Sequence, residues 1–457
     1  MKWWQPSTLY ILTVFILVIG LLEFTYVHDL LWEYVQEILD KPSYLNDVIQ
    51  QLADAAPKLM STKPGAKVVC IVATYSGAKE RKRLVKSLKG KVMESLLHPS
   101  AHLALIRIID VTDDTVNVQK SLLDEIKSVE PIVKYAANGE VLGKPLPALI
   151  TISKHYFGRK LLLRLLNPNK SHLEPDEISL FSMESPTSKK SDDVRRAEHL
   201  VYLRSSMLSV CTTYAEDLLT CKIGRKVLEE VIWVFRPVNT LRAIVSLFTG
   251  GTIDSAHDNA LMEDEMNDDG VEEEEFDQSG GESDEEPIDE PSAMSVPDDA
   301  SANEEGGVVF DEIEVEEDGL AEQVEPNSAN HNDDEQSSLP IEENPHAQSV
   351  LKSLLLLEAY IENPDLDLNK RHAQVDRRMW EESDFRLVTH LVSALTDKSL
   401  IVHWLTHNRT CFALLDCLKV PSAAPMVRQA IAPHMEILKS SAKEHKGGSL
   451  LLERLES

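Results

Sequence analysis

HYFGRKLLLRLLNPN, residues 155–169, decides the reading of this chain. A glycine is followed by two cations, then by a leucine-rich run, then by a stop at Asn-Pro-Asn. CKIGRKVLEEV (221–231) repeats the arrangement. With Gly158 as position zero, apolar residues fall at +3, +4 and +8: Leu161, Leu162 and Leu166. The same offsets give Val227, Leu228 and Ile232 from Gly224, Val68, Val69 and Ala73 from Gly65, and Leu450, Leu451 and Leu455 from Gly447. Degenerate copies start at Ser100 (Leu103, Ala104, Ile108) and Thr410 (Ala413, Leu414, Leu418). These offsets mark one buried stripe on a helix. Units of this size cannot bury their faces alone, so they stack side by side.

The rest of the chain fits an all-α fold. In EFTYVHDLLWEYVQEIL the spacing of Val27, Leu30, Leu31, Tyr34, Val35 and Ile38 predicts an amphipathic helix that ends before Pro42. DVIQQLADAAPKL predicts a second, and strand signals are weak throughout. Residues 167–198 read as a loop with a partly ordered start. Helical pattern returns at SVLKSLLLLEAYIE (349–362).

The charge of −30 over 457 residues conceals two unlike parts. Residues 254–345 hold 35 Asp and Glu and no Lys or Arg, which leaves 41 acids against 46 Lys and Arg elsewhere. A mildly basic, apolar-rich protein therefore carries a long anionic insert. That insert has too little apolar surface to offset its ordering entropy and reads as disordered. It suits basic protein partners, or it screens a basic groove. Five scattered cysteines without a CxxC pair point to a reducing compartment. The apolar run 9–22 is short for a spanning helix and reads as a signal anchor, a solenoid helix or an unnatural chain start. The expected organisation is 1–22 (apolar segment), 23–249 (helical repeats), 250–347 (acidic insert) and 348–457 (C-terminal helical repeats).

The matching text TKPGAKVVCIVATYSGAKERKRLVKSLKGKV (62–92), HLALIRIIDVTDDTVNVQKSLLDEI (102–126) and FGRKLLLRLLNPN (157–169) resembles Pumilio-like proteins of the Puf-A type, the nucleolar branch with a CPL region. Against that pattern the chain looks N-terminally truncated, because repeats expected before residue 23 are absent. The resemblance implies a Pumilio-like helical repeat solenoid, interrupted here by the acidic insert. It also implies a nuclear, nucleolar role in assembling the large ribosomal subunit, with pre-rRNA and pre-ribosomal proteins as partners. In sequence-specific Pumilio repeats two or three side chains per repeat read one base; these sit at +1, +2 and +5. Here +5 is Cys70, Leu105, Leu163, Glu229, Leu415 and Leu452, and leucine cannot hydrogen-bond a base edge. The base code is mostly lost.

Cations remain. Position +2 is Lys67, His102, Lys160 and Lys226 in the first four repeats, with Arg159 and Arg225 at +1 of two of them. Cations at a helix start oppose the macrodipole and suit phosphate contacts. His102 and Phe412 suit stacking on a base. The run AKERKRLVKSLKGKV (78–92) adds Lys79, Arg81, Lys82, Arg83 and Lys86. On a helix its Leu84, Val85 and Leu88 pack inward, leaving a nucleic-acid patch or an import signal. The predicted function is non-catalytic, largely sequence-independent RNA binding. The alternatives are an armadillo/HEAT-like protein-binding scaffold without RNA binding, and a membrane-anchored helical protein. No cofactor is expected. His403, His407 and Cys411 lie at i, i+4 and i+8, but Asn408, Arg409 and Thr410 read as a turn between them, so no metal site is expected.

Overall fold

The computed structural model describes residues 21–129, 145–168, 173–250, 339–362 and 385–456, which belong to one packed unit. The apolar run up to residue 20 and most of the acidic insert (251–338) lie outside the described residues. Regular structure among the described residues is helical, with no strand. No helix there is long and apolar enough to cross a membrane.

One helix from each repeat joins a continuous row. Thr25–Ile38 packs on Lys63–Tyr75, which packs on Ala101–Val111, then Arg159–Leu166, Gly224–Phe235, Pro345–Glu362, Asn408–Cys417 and Lys446–Glu456. The +3/+4/+8 stripe fills the seams: Val68, Val69, Ala73, Leu103, Ala104, Ile108, Leu161, Leu162, Leu166, Val227, Leu228, Ile232, Ala413, Leu414 and Leu418 are all buried. Each fully buried Val, Leu or Ile among them contributes roughly 1.5–3 kcal/mol.

The row contains a copy that the glycine-based search misses. Ala347 is fully buried at position zero of helix 345–362, with Val350, Leu351 and Leu355 buried at +3, +4 and +8. This helix starts before residue 348, the expected boundary, and it closes the gap between the two stretches of repeats. It packs on helix 224–235 and is bonded to it by Arg225 Nη1 to Ser349 Oγ (2.7 Å) and Trp233 Nε1 to Ser353 Oγ (2.9 Å).

Position zero is small because of close packing. Helix 63–75 begins two residues before Gly65, capped by Thr62, whose Oγ1 accepts from Gly65 N at 3.2 Å. A Cβ on Gly65 would stand 2.0 Å from the carbonyl oxygen of Leu59, and one on Gly447 would stand 2.4 Å from that of Asn408. Gly65→Ala is therefore expected to cost about 1–3 kcal/mol by overpacking. A urea midpoint left unchanged by G65A would show that the backbone there yields.

Two local expectations need correction. Leu30 is exposed, and His28 takes its place in the buried stripe, with ring nitrogens against Thr62 Oγ1 (2.7 Å) and Leu22 O (2.8 Å). In residues 167–198 the ordered start is helix Pro175–Phe181, but the end, expected to be loop, is helical as well: Ser191 caps a long helix from Asp192 to Thr213.

Candidate nucleic-acid interface

Helix Ala78–Leu88 buries Leu84, Val85 and Leu88, as its pattern predicts. Lys79, Lys82 and Lys86 are exposed, and none has an ion-pair partner among the described residues. Spaced i, i+3 and i+7, they form one stripe. Lys89 and Lys91 extend it past the helix end. Arg83 is partly tied down: it pairs with Asp54 and donates to Gln50 O at 3.0 Å, and the bonding to Arg83 holds the Asp54 carboxyl below its usual range.

The fifth cation, Arg81, is not on the surface. It is buried and donates to Ala73 O and Thr74 O (both 3.1 Å), to Thr187 Oγ1 (2.8 Å) and to Ser185 Oγ. These backbone carbonyls end helix 63–75, where a guanidinium finds acceptors that the helix cannot satisfy itself. Arg81 is thus not part of the nucleic-acid patch expected of this run.

The repeat positions divide in the same way. Lys67 is half-buried, 5.6 Å from the Trp32 ring centroid, and Arg159 is half-buried, 5.3 Å from that of Tyr156. Arg225 is half-buried and bonded to Ser349, and Lys226 is exposed. His102 and Lys160, expected at the surface, are buried at 0% and 2% exposure. Lys160 Nζ lies 2.9 and 3.1 Å from the two oxygens of Glu177. His102 Nε2 lies 3.9 Å from Glu177, with Nδ1 on His98 O at 3.0 Å and its ring 4.9 Å from that of Phe157.

The cover over these positions is residues 173–190. Glu174 and Glu177 form a capping box that starts helix 175–181. Leu180 and Phe181 are buried, and Phe181 lies between Arg107 (6.0 Å) and Arg164 (5.4 Å). Arg107 donates to Met183 O and to Thr74 Oγ1 (2.9 Å). Ser185 then donates to Thr74 O (2.8 Å) and Thr187 to Ser76 O (2.6 Å), before Ser188 meets Asp113 (2.5 Å). The segment runs from the +2 positions of helices 101–111 and 159–166 to the C-terminal ends of helices 63–75 and 101–111. The +5 residues Cys70, Leu105 and Leu163 are fully buried. Burial pushes the Cys70 thiol up to about 12.

Burial, then the Lys160 ammonium, push His102 down to about 3, and burial pushes His199 down to about 4. Both stay neutral in the folded chain where the unfolded chain is protonated, below about pH 6.5. The unfolded state therefore binds more protons in that window, and stability falls as pH drops through it, by up to about 1.4 kcal/mol per pH unit for each histidine. Urea midpoints between about pH 6.5 and pH 5 check this, and a flat profile would contradict it.

Around helix 345–362 the surroundings are different. Its groove against helix 408–417 is open and lined by Gln348, Ser349, Lys352, Phe412, Leu415 and Lys419. These include the +1, +2 and +5 positions of the Ala347 repeat and the +2 and +5 positions of the Thr410 repeat. Nearby, His403 and His407 do share a face, but Cys411 turns inward and its Sγ donates to Leu405 O (3.4 Å). Their Nε2 atoms instead lie 3.6 Å from Glu342 and 3.2 Å from Glu343, and His407 Nδ1 is held by His403 O at 2.9 Å. One ligand atom each from Glu343, His403 and His407 lie within 4.8 Å of one another, a donor set that suits zinc.

Residues 154–266 match the profile of the CPL (NUC119) domain family. Pumilio homolog 24 of Arabidopsis thaliana is 27% identical over 263 residues, 46% of this chain and 38% of the relative. Human Pumilio homolog 3 is 26% identical over 227 residues, 48% of this chain and 32% of the relative. The chain thus spans about a third of the length of these curated relatives. The crystal structure of human Puf-A superposes with a TM-score of 0.61 at 21% identity, covering 94% of this chain and 62% of that one. A human Puf-A structure in complex with DNA gives 0.61 at 18% identity, covering 94% and 61%.

Proposed function

We propose that this chain, which resembles Pumilio-like proteins of the Puf-A type, binds single-stranded RNA non-catalytically, through phosphates and largely without regard to sequence. The observation that carries this reading is the stripe of Lys79, Lys82 and Lys86, exposed on one helix face without ion-pair partners among the described residues. Phosphate contacts of this kind give affinity and register but carry no sequence information. Apolar residues at +5 in the first three repeats support the same conclusion, since Cys70, Leu105 and Leu163 offer bases no hydrogen-bonding amide or carboxylate. A human Puf-A structure holding DNA agrees with a nucleic-acid partner.

The resemblance across 62–92, 102–126 and 157–169 supports a finer reading. The chain works in the nucleolus on large-subunit pre-rRNA beside pre-ribosomal proteins, and its acidic insert receives basic proteins. Imaging of a tagged full chain tests the location; a membrane pattern would favour residues 9–22 as an anchor instead.

The binding reading is tested with two unrelated single-stranded RNAs of equal length, titrated against the full chain across a salt series. Affinities within about threefold of each other, falling steeply with salt, are expected. No binding at about 50 mM salt, even after removal of residues 251–338, would leave the protein-binding scaffold as the better account.

A further inference from the structure

Glu177 stands between two side chains at equivalent positions of neighbouring repeats. Its carboxylate bonds Lys160 and lies 3.9 Å from His102, both at +2, where a reading repeat would stack a base. Beyond it, Leu180 and Phe181 are buried along the same face, and Ser185 and Thr187 are fastened at the end of helix 63–75. We propose that residues 173–190 are a fixed intramolecular occupant of the base-reading face of the repeats at Gly65, Ser100 and Gly158. Single-stranded nucleic acid therefore meets this part of the chain from outside, by its phosphates on the lysine stripe, and its bases never reach Cys70, Leu105 or Leu163.

The bonding pattern keeps the segment seated. Three cations of the repeat helices, Arg81, Arg107 and Lys160, are bonded to it and buried. Lifting it would strip acceptors from all three at once, along with the cover of two apolar side chains. A base entering the face would restore one stacking interaction per repeat and would bring no carboxylate to Lys160. The segment also differs from the open groove at Phe412, where nothing in the described chain lies across the corresponding positions. Base contacts, where this chain makes them, belong to that groove.

Cys70 is a built-in reporter, since it is a free thiol at +5 and fully buried. The experiment follows alkylation of Cys70 by mass spectrometry in the full chain, with and without a saturating oligouridine, and again in L180A/F181A. Without RNA the variant is expected to label at Cys70 at least about tenfold faster, while Cys211, Cys411 and Cys417 stay protected; native protection there rules out global unfolding. Saturating RNA is expected to leave the native Cys70 rate unchanged within about twofold. Protection of Cys70 that survives L180A/F181A would overturn the cover, and a large change of the native rate on adding RNA would overturn its fixed character. The inference about nucleic acid rests on the RNA-binding reading; the RNA-free comparison tests the occupant alone, so the two can fail separately.

Discussion

Lys160→Met is expected to destabilise the fold by about 3–5 kcal/mol while leaving RNA affinity of the folded protein unchanged. Burial is the reason. Lys160 and Glu177 are 2% and 5% exposed and 2.9 Å apart, so neither charge has water to fall back on. Removing the ammonium leaves a buried carboxylate with no cation bonded to it, beside a His102 ring whose own burial disfavours its charged form. Adding Glu177→Gln should recover much of the loss, because the amide oxygen can still accept from Glu174 N, as the carboxylate does at 2.8 Å. Urea unfolding of the single and double variants measures the pair. If K160M were as stable as the native chain but bound RNA tenfold more weakly, Lys160 would be the phosphate ligand that its local sequence suggests.

The second large effect concerns the stripe. Replacing Lys79, Lys82 and Lys86 together by alanine should weaken binding of single-stranded RNA about tenfold or more at low salt. It should also flatten the dependence of log K on log salt by about 2, since every phosphate of a single strand that the protein ceases to neutralise takes roughly 0.7 off the slope. Stability should hardly change, because these side chains are exposed and make no ion pair among the described residues. Arg81→Ala, taken from the same run, should do the reverse: it strands the carbonyl of Ala73, takes one of two side-chain donors from that of Thr74 and loosens Ser185 and Thr187, while leaving the salt slope alone. A triple variant with native affinity and slope would remove the stripe from the interface.

The contrast between Arg81 and its neighbours marks what could be read from sequence. A helix is a local object, and the offsets +3, +4 and +8 record its buried side at five places because the same packing problem recurs at each seam; in the copy at Gly447 only Leu451 is buried, and Leu450 and Leu455 are half-buried. Leu161, Leu162 and Leu166 are buried for the reason their spacing gives. The copy at Ala347 obeys the same offsets, but it lacks a glycine and follows directly on the acidic run, so only the apolar triplet Val350, Leu351 and Leu355 betrays it. What lies on the other side of a repeat helix is not local. LEPDEISLFSMESPTS (173–188) is polar enough to pass for a loop, and its anchors Arg81 and Arg107 are about a hundred and about seventy residues away. Arg159 and Lys160 are adjacent and alike in sequence, yet one is half-buried over an aromatic ring and the other is sealed under a carboxylate. Side-chain type alone does not distinguish them.

The seam between helices 224–235 and 345–362 has a consequence for the chain that joins them. Lys398 Nζ holds Thr249 O at 2.9 Å on one side of the excursion, and Arg225 and Trp233 hold Ser349 and Ser353 on the other. Both ends of residues 251–338 are thereby fixed by the repeats themselves. For the disordered tether that the composition of 254–345 predicts, the entropic cost of holding the ends grows only with the logarithm of its length, about 0.6 kcal/mol for each doubling. Halving or doubling the acidic stretch would therefore shift the stability of the repeats less than the loss of one buried leucine. The number of carboxylates that the chain carries is free to vary almost independently of the scaffold that joins their ends.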